Sequence, residues 1–149
     1  MERETSMNGF VLDTSVVLKW FSEYGEDDLN RAFQIREYLL EGSAHFIVPE
    51  LLFYELANAL RYNPRFSTKD VSEAIDSVFD MELEVAIIDK RIMEEAIALA
   101  FKYHITVYDA YFLGLSRAEG KPLITADYKF FEKMKGYKGI IKLSEFKSS

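Results

Sequence analysis

The sequence predicts a three-layer α/β/α domain with a central parallel sheet of about five strands. Short apolar runs of strand length alternate with longer segments whose apolar residues recur every three or four positions. Such alternation is typical of parallel strands joined by helices that cover both faces of the sheet. Because 149 residues suit one core of ordinary size, we expect a single domain at 9–149, preceded by a flexible N-terminal segment at 1–8.

The first strand is predicted at 9–12, an apolar run that ends on Asp13. A short helix should follow at 16–21. An amphipathic helix is expected at about 27–40, because its apolar positions keep helical spacing and Gly42 lies just past its end.

The second strand is predicted at 45–48. Pro49 cannot continue a central strand but suits the first turn of a helix, so the next helix is expected at 50–62. Asn63-Pro64 ends that helix, and Ser67 or Thr68 caps another that runs to about residue 80.

The second half of the chain keeps the same alternation. Strands are predicted at 84–88, 123–125 and 140–143, and helices at 89–103, 106–119 and 129–135. Asp89 caps the first of these helices, Thr106 opens the second, and Gly120 ends it. The whole chain is thus divided into strands and helices without an internal repeat or an interdomain linker.

Composition excludes several kinds of site. The chain has no cysteine, which excludes disulfides, thiolate metal sites and cysteine nucleophiles and favours a reducing intracellular compartment. Its first residues carry both charges and only a short apolar run that stops at Asp13, so we expect neither a signal peptide nor a membrane span. The protein is therefore predicted to be cytoplasmic, with no membrane partner.

The charge of the chain is acidic but uneven. A net charge of −7 argues against a broadly basic surface for nucleic acid. Near the C-terminus, however, six lysines face only two acids, Glu132 and Glu145; the lysines are 129, 133, 135, 138, 142 and 147. A surface with such a pattern can still hold a polyanion.

Four acids are predicted to meet at one edge of the sheet. Asp13 directly follows the first strand and Asp127 lies two residues past the strand at 123–125, and the carboxyl ends of parallel strands share an edge. Glu55 lies inside the apolar helix 51–60, and Asp109 lies in an apolar, aromatic helix start. Packed carboxylates repel one another, and a cation between them relieves the repulsion. Oxygen ligands favour Mg²⁺ or Mn²⁺.

Each acid also has a structural explanation when it is taken alone. Asp13 can cap the first helix, and Asp109 stands three residues after Thr106, which is the spacing of a capping box. Glu55 can face solvent, and Asp127 can be a turn residue. The joint placement of the four acids is what predicts a metal site. His45 and His104 lack ligand spacing and are interpreted as structural.

Four segments together resemble the PIN-domain ribonucleases, most closely the VapC-type toxins of toxin–antitoxin pairs. They are Val-Leu-Asp-Thr-Ser-Val-Val-Leu-Lys-Trp-Phe at 11–21, Val-Pro-Glu-Leu-Leu-Phe-Tyr-Glu-Leu-Ala-Asn-Ala-Leu at 48–60, Thr-Val-Tyr-Asp-Ala-Tyr-Phe-Leu-Gly-Leu-Ser at 106–116, and Leu-Ile-Thr-Ala-Asp at 123–127. Any one segment is a weak signal, because short runs such as Asp-Thr-Ser occur by chance, whereas four in the family's order, spread over most of the chain, are specific.

The resemblance implies a PIN fold and a magnesium- or manganese-dependent ribonuclease whose metal is held by the four acids. Asp13, Glu55 and Asp109 match the three positions shared most widely, and Asp127 matches the more variable fourth. Thr14 or Ser15, together with Thr125, match hydroxyls that orient water or hold the acids. It also implies an RNA substrate, a cognate antitoxin and a homodimer.

The chemistry of the site allows a division of roles among the acids. Asp13 and Asp109 are the expected direct ligands, Glu55 would hold a water or act as a base, and Asp127 would complete a second metal position. The basic residues that could guide RNA phosphates are Lys19, Arg61, Arg65, Lys129 and Lys133, although solvated helix faces explain each of them as well.

Other functions remain open at this point. One is an RNA-processing PIN nuclease outside a toxin–antitoxin pair, and another is a non-catalytic PIN-like module that binds RNA or protein. An aspartyl-nucleophile phosphatase is disfavoured, because such sites place a second Asp two positions after the first, where this chain has Ser15.

Overall fold

The computed structural model describes residues 8–22 and 27–147. The predicted flexible segment at 1–8 lies outside these residues, apart from Asn8, which begins the first strand. The described residues contain five strands: β1 Asn8–Leu12, β2 Ala44–Pro49, β3 Glu84–Ala86, β4 Leu123–Thr125 and β5 Ile140–Lys142. All of their pairings are parallel, in the order β3-β2-β1-β4-β5. The predicted fold class is confirmed.

Helices connect the strands along the described chain. They are α1 Thr14–Leu18, α2 Leu29–Glu41, α3 Leu51–Arg61, α4 Thr68–Phe79, α5 Lys90–Tyr103, α6 Val107–Glu119 and α7 Tyr128–Lys133, and a 3₁₀ turn at Leu143–Glu145 follows β5. Caps at the predicted positions begin several helices, because an extended Ser, Thr or Asp accepts a bond from the first turn. Ser67, Asp89 and Thr106 act in this way.

The core joins the central strands to buried residues of α2, α3, α5 and α6. Val11 and Leu12 of β1, and Leu123 and Ile124 of β4, are wholly buried, as expected for strands covered on both faces. In α6 every residue from 110 to 116 is buried, which makes it the central helix of its layer. Gly114 allows α5 to approach closely, because an added Cβ would lie 3.1 Å from the Ile92 carbonyl oxygen.

Pro49 corrects the sequence-based expectation. It was predicted to lie outside the strand and to suit the first turn of the next helix, but it is the last residue of β2 and lies opposite Ala86. The ladder between β1 and β2 ends at Ile47, and the Glu50 N–H points to β3, where it bonds to the Ala86 carbonyl at 3.1 Å. A backbone N–H at residue 49 would point towards β1, but the ladder with β1 has already ended at Ile47. Proline therefore removes no ladder hydrogen bond at this position.

β3 is shorter than predicted, because among the described strands it pairs with β2 alone, and β2 ends at Pro49. Ile87 and Ile88 therefore leave the sheet and are 73% and 67% exposed. At the start of the chain, α1 begins at Thr14, two residues earlier than predicted, because Asp13 caps it. None of the described helices is long and apolar enough to cross a lipid bilayer.

Candidate active site

Asp13 is the buried centre of the candidate site, at the carboxyl end of β1. Its N–H bonds to the Ile124 carbonyl of β4 at 3.0 Å, which ties it to the adjacent strand. The residue is only 9% exposed. Its Oδ2 accepts hydrogen bonds from Ser15 Oγ at 2.5 Å and from Thr125 Oγ1 at 3.1 Å. Burial raises the pKa of Asp13, and these hydroxyls partly oppose that rise. The hydroxyls leave Oδ1 for another partner.

Ser15 and Thr125 also fix the turn after β4. Ser15 Oγ accepts the Ala126 N–H at 2.9 Å, and Thr125 Oγ1 accepts the Asp127 N–H at 3.0 Å. Each hydroxyl therefore joins the Asp13 carboxylate to the backbone that leads into α7. The hydroxyls predicted to hold the acids do contact Asp13, and they connect the two strand ends of the site.

Glu55 reaches the site from α3. The buried face of α3 is formed by Leu52, Leu56 and Leu60, so Glu55 lies at the edge of that face, partly buried. Thr14 Oγ1 donates to Glu55 Oε1 at 2.6 Å, which directs the carboxylate towards α1. Burial raises the pKa of Glu55, and the charges of Asp13 and Asp109 raise it further.

Asp109 lies in the first turn of α6, where its N–H bonds to the Thr106 hydroxyl at 3.0 Å. Burial first, and then the charges of Asp13 and Asp127, raise its pKa to about 6. The Thr106 hydroxyl and the Lys133 ammonium oppose this rise. Asp109 is thus a carboxylate held among like charges.

Asp127 caps α7 and is exposed. Its Oδ1 accepts the Phe130 N–H at 3.0 Å. Asp13 does cap α1, as its structural explanation predicted, whereas Asp127 was expected to be a turn residue and instead caps α7. Asp109 donates its N–H to the Thr106 hydroxyl, which is one half of the predicted capping box. An Asp that caps a helix with one carboxylate oxygen can still offer the other oxygen to a bound ion.

The four acids are electrostatically coupled. The charge of Asp127 raises the pKa of Asp13 and Asp109, and the charges of Asp13 and Asp109 raise that of Glu55. Within the described ranges, no three acidic or histidine side chains converge closely enough to chelate an ion as they stand. Carboxylate oxygens are hard donors, and their mutual repulsion would be relieved by a divalent cation such as Mg²⁺ or Mn²⁺. That they bind metal stays a prediction.

The other predicted polar residues occupy different places. His45 bonds to Glu84 at 2.7 Å, and His104 ends α5 with a left-handed φ of 57°, which agrees with structural roles. Lys19 is only 7% exposed, so it does not present its charge to a large substrate as proposed. Arg61 and Arg65, and Lys129 and Lys133 on α7, are exposed.

An apolar pocket of about 340 Å³, lined in part by the sequence neighbours of two of the acids, was not predicted. Its lining includes Tyr54 and Tyr108, which directly precede Glu55 and Asp109, together with Ile88 and Val107. These four side chains are exposed at its rim. The tyrosine directly before each of these two acids was the signal in the sequence that could have indicated the pocket.

Comparison with solved structures supports the fold. A toxin–antitoxin complex from Klebsiella pneumoniae matches with a TM-score of 0.67 and 20% identity, covering 91% of this chain and 98% of that chain. VapC20 of Mycobacterium tuberculosis, described as a sarcin–ricin loop cleaving toxin, matches with a TM-score of 0.64 and 14% identity over 82% and 94% of the two chains. DNA-bound VapBC from Salmonella typhimurium matches with a TM-score of 0.61 and 17% identity, covering 92% of this chain and 99% of that chain.

Comparison with curated protein sequences found no match. At such low identities the solved structures establish a shared fold. The sequence itself matches the PIN domain family over residues 10–136, a span that includes all four acids and the elements that carry them. This chain therefore belongs to the PIN domain family, as its four sequence segments predicted.

Proposed function

We propose that this protein is a metal-dependent endoribonuclease and the toxin subunit of a toxin–antitoxin pair. The observation that carries the proposal is the coupling of four carboxylates at the carboxyl edge of the sheet, around the buried Asp13. A surface that only binds a partner has no need for buried like charges, which are unfavourable without a cation. The non-catalytic alternative is disfavoured for this reason.

The residues take the following roles in the proposed site. Asp13 and Asp109 would hold Mg²⁺ or Mn²⁺ directly, Glu55 would hold a water or act as a base, and Asp127 would complete a second metal position. A bound ion of this kind would activate water for attack on a phosphodiester and stabilise the charge that develops. Ser15 and Thr125 orient Asp13, and Thr14 orients Glu55.

Single-stranded or looped RNA is the proposed substrate. Lys133 of α7 is exposed, and its charge acts on the Asp109 carboxylate. Phosphate contacts of this kind would position the backbone beside the acids. The printed description of VapC20 as a toxin that cleaves the sarcin–ricin loop supports RNA as the class of substrate.

The proposed partners are a cognate antitoxin and a second copy of the chain. The matched structures from Klebsiella pneumoniae and Salmonella typhimurium are toxin–antitoxin complexes, which supports the first partner. The exposed apolar rim formed by Tyr54, Ile88, Val107 and Tyr108 supports a protein contact at that face. We assign this face to the homodimer.

Cleavage of RNA by purified protein tests the proposal. Wild-type protein with Mn²⁺ should cut RNA, EDTA should abolish the cut, and Asp13→Asn should remove activity without unfolding the chain, as judged by circular dichroism. Tyr62→Phe, at an exposed residue after α3, serves as the control variant. Full activity in Asp13→Asn would contradict the proposed site, and binding of RNA without cleavage would favour the non-catalytic module.

A second experiment separates the toxin from an RNA-processing nuclease. Expression of the wild-type chain alone should arrest growth, and co-expression of a small protein encoded beside it should restore growth. Asp13→Asn should not arrest growth. Cleavage in vitro without growth arrest would favour the processing role.

A further inference from the structure

One hydroxyl joins three distant segments beside the acids. Tyr128 is the first residue of α7 and directly follows Asp127. Its hydroxyl donates to Asp28 Oδ2 at 2.7 Å and accepts the Ser144 N–H at 3.1 Å. The start of α2, the start of α7 and the 3₁₀ turn after β5 therefore meet at this oxygen.

Asp28 is built for this contact rather than for capping its own helix. It precedes α2, yet its side chain makes no capping bond, and its φ of 61° lies in the left-handed region. That region is unfavourable for residues other than glycine, although Asp tolerates it better than most. The carboxylate instead accepts the Tyr128 hydroxyl, which is consistent with a conformation retained for that bond.

The Tyr128 phenol remains a donor under physiological conditions. Burial, followed by the hydrogen bond to Asp28, raises the pKa of Tyr128 above its usual value. The hydroxyl therefore stays protonated at neutral pH. The 3₁₀ turn that supplies Ser144 is itself held against α2, because Arg31 donates to the Phe146 carbonyl.

A short path leads from this hydroxyl to the acids. Asp127 caps the first turn of α7 by accepting the Phe130 N–H, and the Asp127 N–H bonds to Thr125 Oγ1. Thr125 in turn donates to Asp13 Oδ2. The first turn of α7 is thus attached to Asp13 through Thr125 and to α2 through Tyr128. Asp127 is exposed, so burial does little to hold it in place.

We propose that Tyr128 is a positioning residue whose hydroxyl, held by Asp28, fixes the first turn of α7 and thereby aims the Asp127 carboxylate at Asp13 and Asp109. The expected effect on metal affinity rests on the proposed function. The effect on α7 itself does not, and it can be measured separately.

Amide hydrogen exchange tests the positioning directly. Tyr128→Phe removes only the hydroxyl, and Asp28→Gly removes the acceptor at a φ that glycine adopts freely. Both variants should speed exchange of the Asp127 and Phe130 amides by about fivefold to tenfold, as expected for the loss of one hydrogen bond. Asp28→Asn keeps an acceptor oxygen and should leave exchange unchanged. Unchanged exchange in Tyr128→Phe would overturn the inference, whether or not the protein cleaves RNA.

Binding of Mn²⁺, followed by titration calorimetry, tests the consequence for the site. Tyr128→Phe and Asp28→Gly should weaken Mn²⁺ binding and slow RNA cleavage by about tenfold, and the double variant should be no worse than either single variant. Asp28→Asn should retain both activities. The control Tyr137→Phe removes a hydroxyl that faces Arg117, away from the acids, and should change neither. A loss equal to that of Tyr128→Phe in this control would contradict a specific role for Tyr128.

Discussion

Asp109 links protonation to stability in this fold. Burial and the neighbouring charges of Asp13 and Asp127 raise its pKa to about 6, whereas the pKa of an Asp in an unfolded chain is about 3.9. A raised pKa means that the folded protein holds this proton more tightly. The stability due to the proton is therefore fully present below the unfolded pKa and is lost as the pH rises through 6.

Replacing Asp109 by Asn should stabilise the metal-free protein at neutral pH. Asn cannot ionise, so at pH 7.5 in EDTA the free energy of unfolding of Asp109→Asn should exceed that of wild type by about 1–2 kcal/mol, after allowance for solvent at this partly exposed group. Near pH 4 the difference should disappear. Urea denaturation across this range measures it, and a difference independent of pH would refute the explanation.

The hydroxyl of Thr14 decides where Glu55 points. Thr14→Val keeps the shape of the side chain but removes the donor to Glu55, so RNA cleavage should slow by about tenfold. In the wild type this hydrogen bond lowers the pKa of Glu55. Its loss should raise that pKa, so the acidic limb of the pH–rate profile of Thr14→Val should move to higher pH. Thr14→Ser retains the hydroxyl and serves as the matched control. Equal rates in the Val and Ser variants would show that this contact does not matter.

At the scale of the elements, helix caps perform two kinds of work. Asp13 and Asp127 cap α1 and α7 while facing the candidate site, so their caps cannot be separated from function by mutation. Ser67 caps α4 in a capping box with Asp70, a helix that carries none of the four acids. This cap allows stability to be changed alone.

Ser67→Ala should lower stability without affecting catalysis. Loss of the bonds between Ser67 and Asp70 should reduce the free energy of unfolding by about 1 kcal/mol. The cleavage rate per folded molecule should not change. Ser72→Ala, on an exposed position within the same helix, is the control and should not destabilise. A cleavage rate that falls in Ser67→Ala would mean that α4 contributes to the site.

At the scale of the molecule, the end of β3 leaves an exposed apolar surface, which we propose as the contact of a homodimer. β3 stops where β2 stops, and the isoleucines that follow are left exposed beside the apolar pocket. Apolar side chains grouped in this way are typical of protein contacts. The pocket is lined by Tyr54 and Tyr108, which directly precede Glu55 and Asp109 in the sequence, so a homodimer at this face would bring two sites near one another.

Ile88→Asp should convert the proposed homodimer into a monomer. Burial of a new carboxylate in an apolar interface is strongly unfavourable, so light scattering at micromolar concentration should give the mass of one chain. Leu40→Asp, at an exposed apolar residue on α2, should leave the dimer intact. A wild-type monomer under these conditions would remove the homodimer from the proposal.

The sequence alone determined the order of strands and helices and the residues of the candidate site. Periodicity, caps and glycines act within a few residues, so helices such as α5 and α6 begin and end as their caps predicted. The alternation of elements also required a parallel sheet, which placed Asp13 and Asp127 at one edge. Glu55 and Asp109 were singled out as acids within apolar helices, and the family segments then matched both positions.

Only the tertiary structure decided which of these residues touch. The bond from Thr14 to Glu55 spans 41 positions and that from Tyr128 to Asp28 spans 100, and no local pattern encodes contacts over such distances. Pro49 could remain in β2 only because β1 had ended on that side, and Ile88 became exposed because β3 lost its partner. The burial of Asp13, which raises its pKa, likewise depends on packing from every layer of the fold.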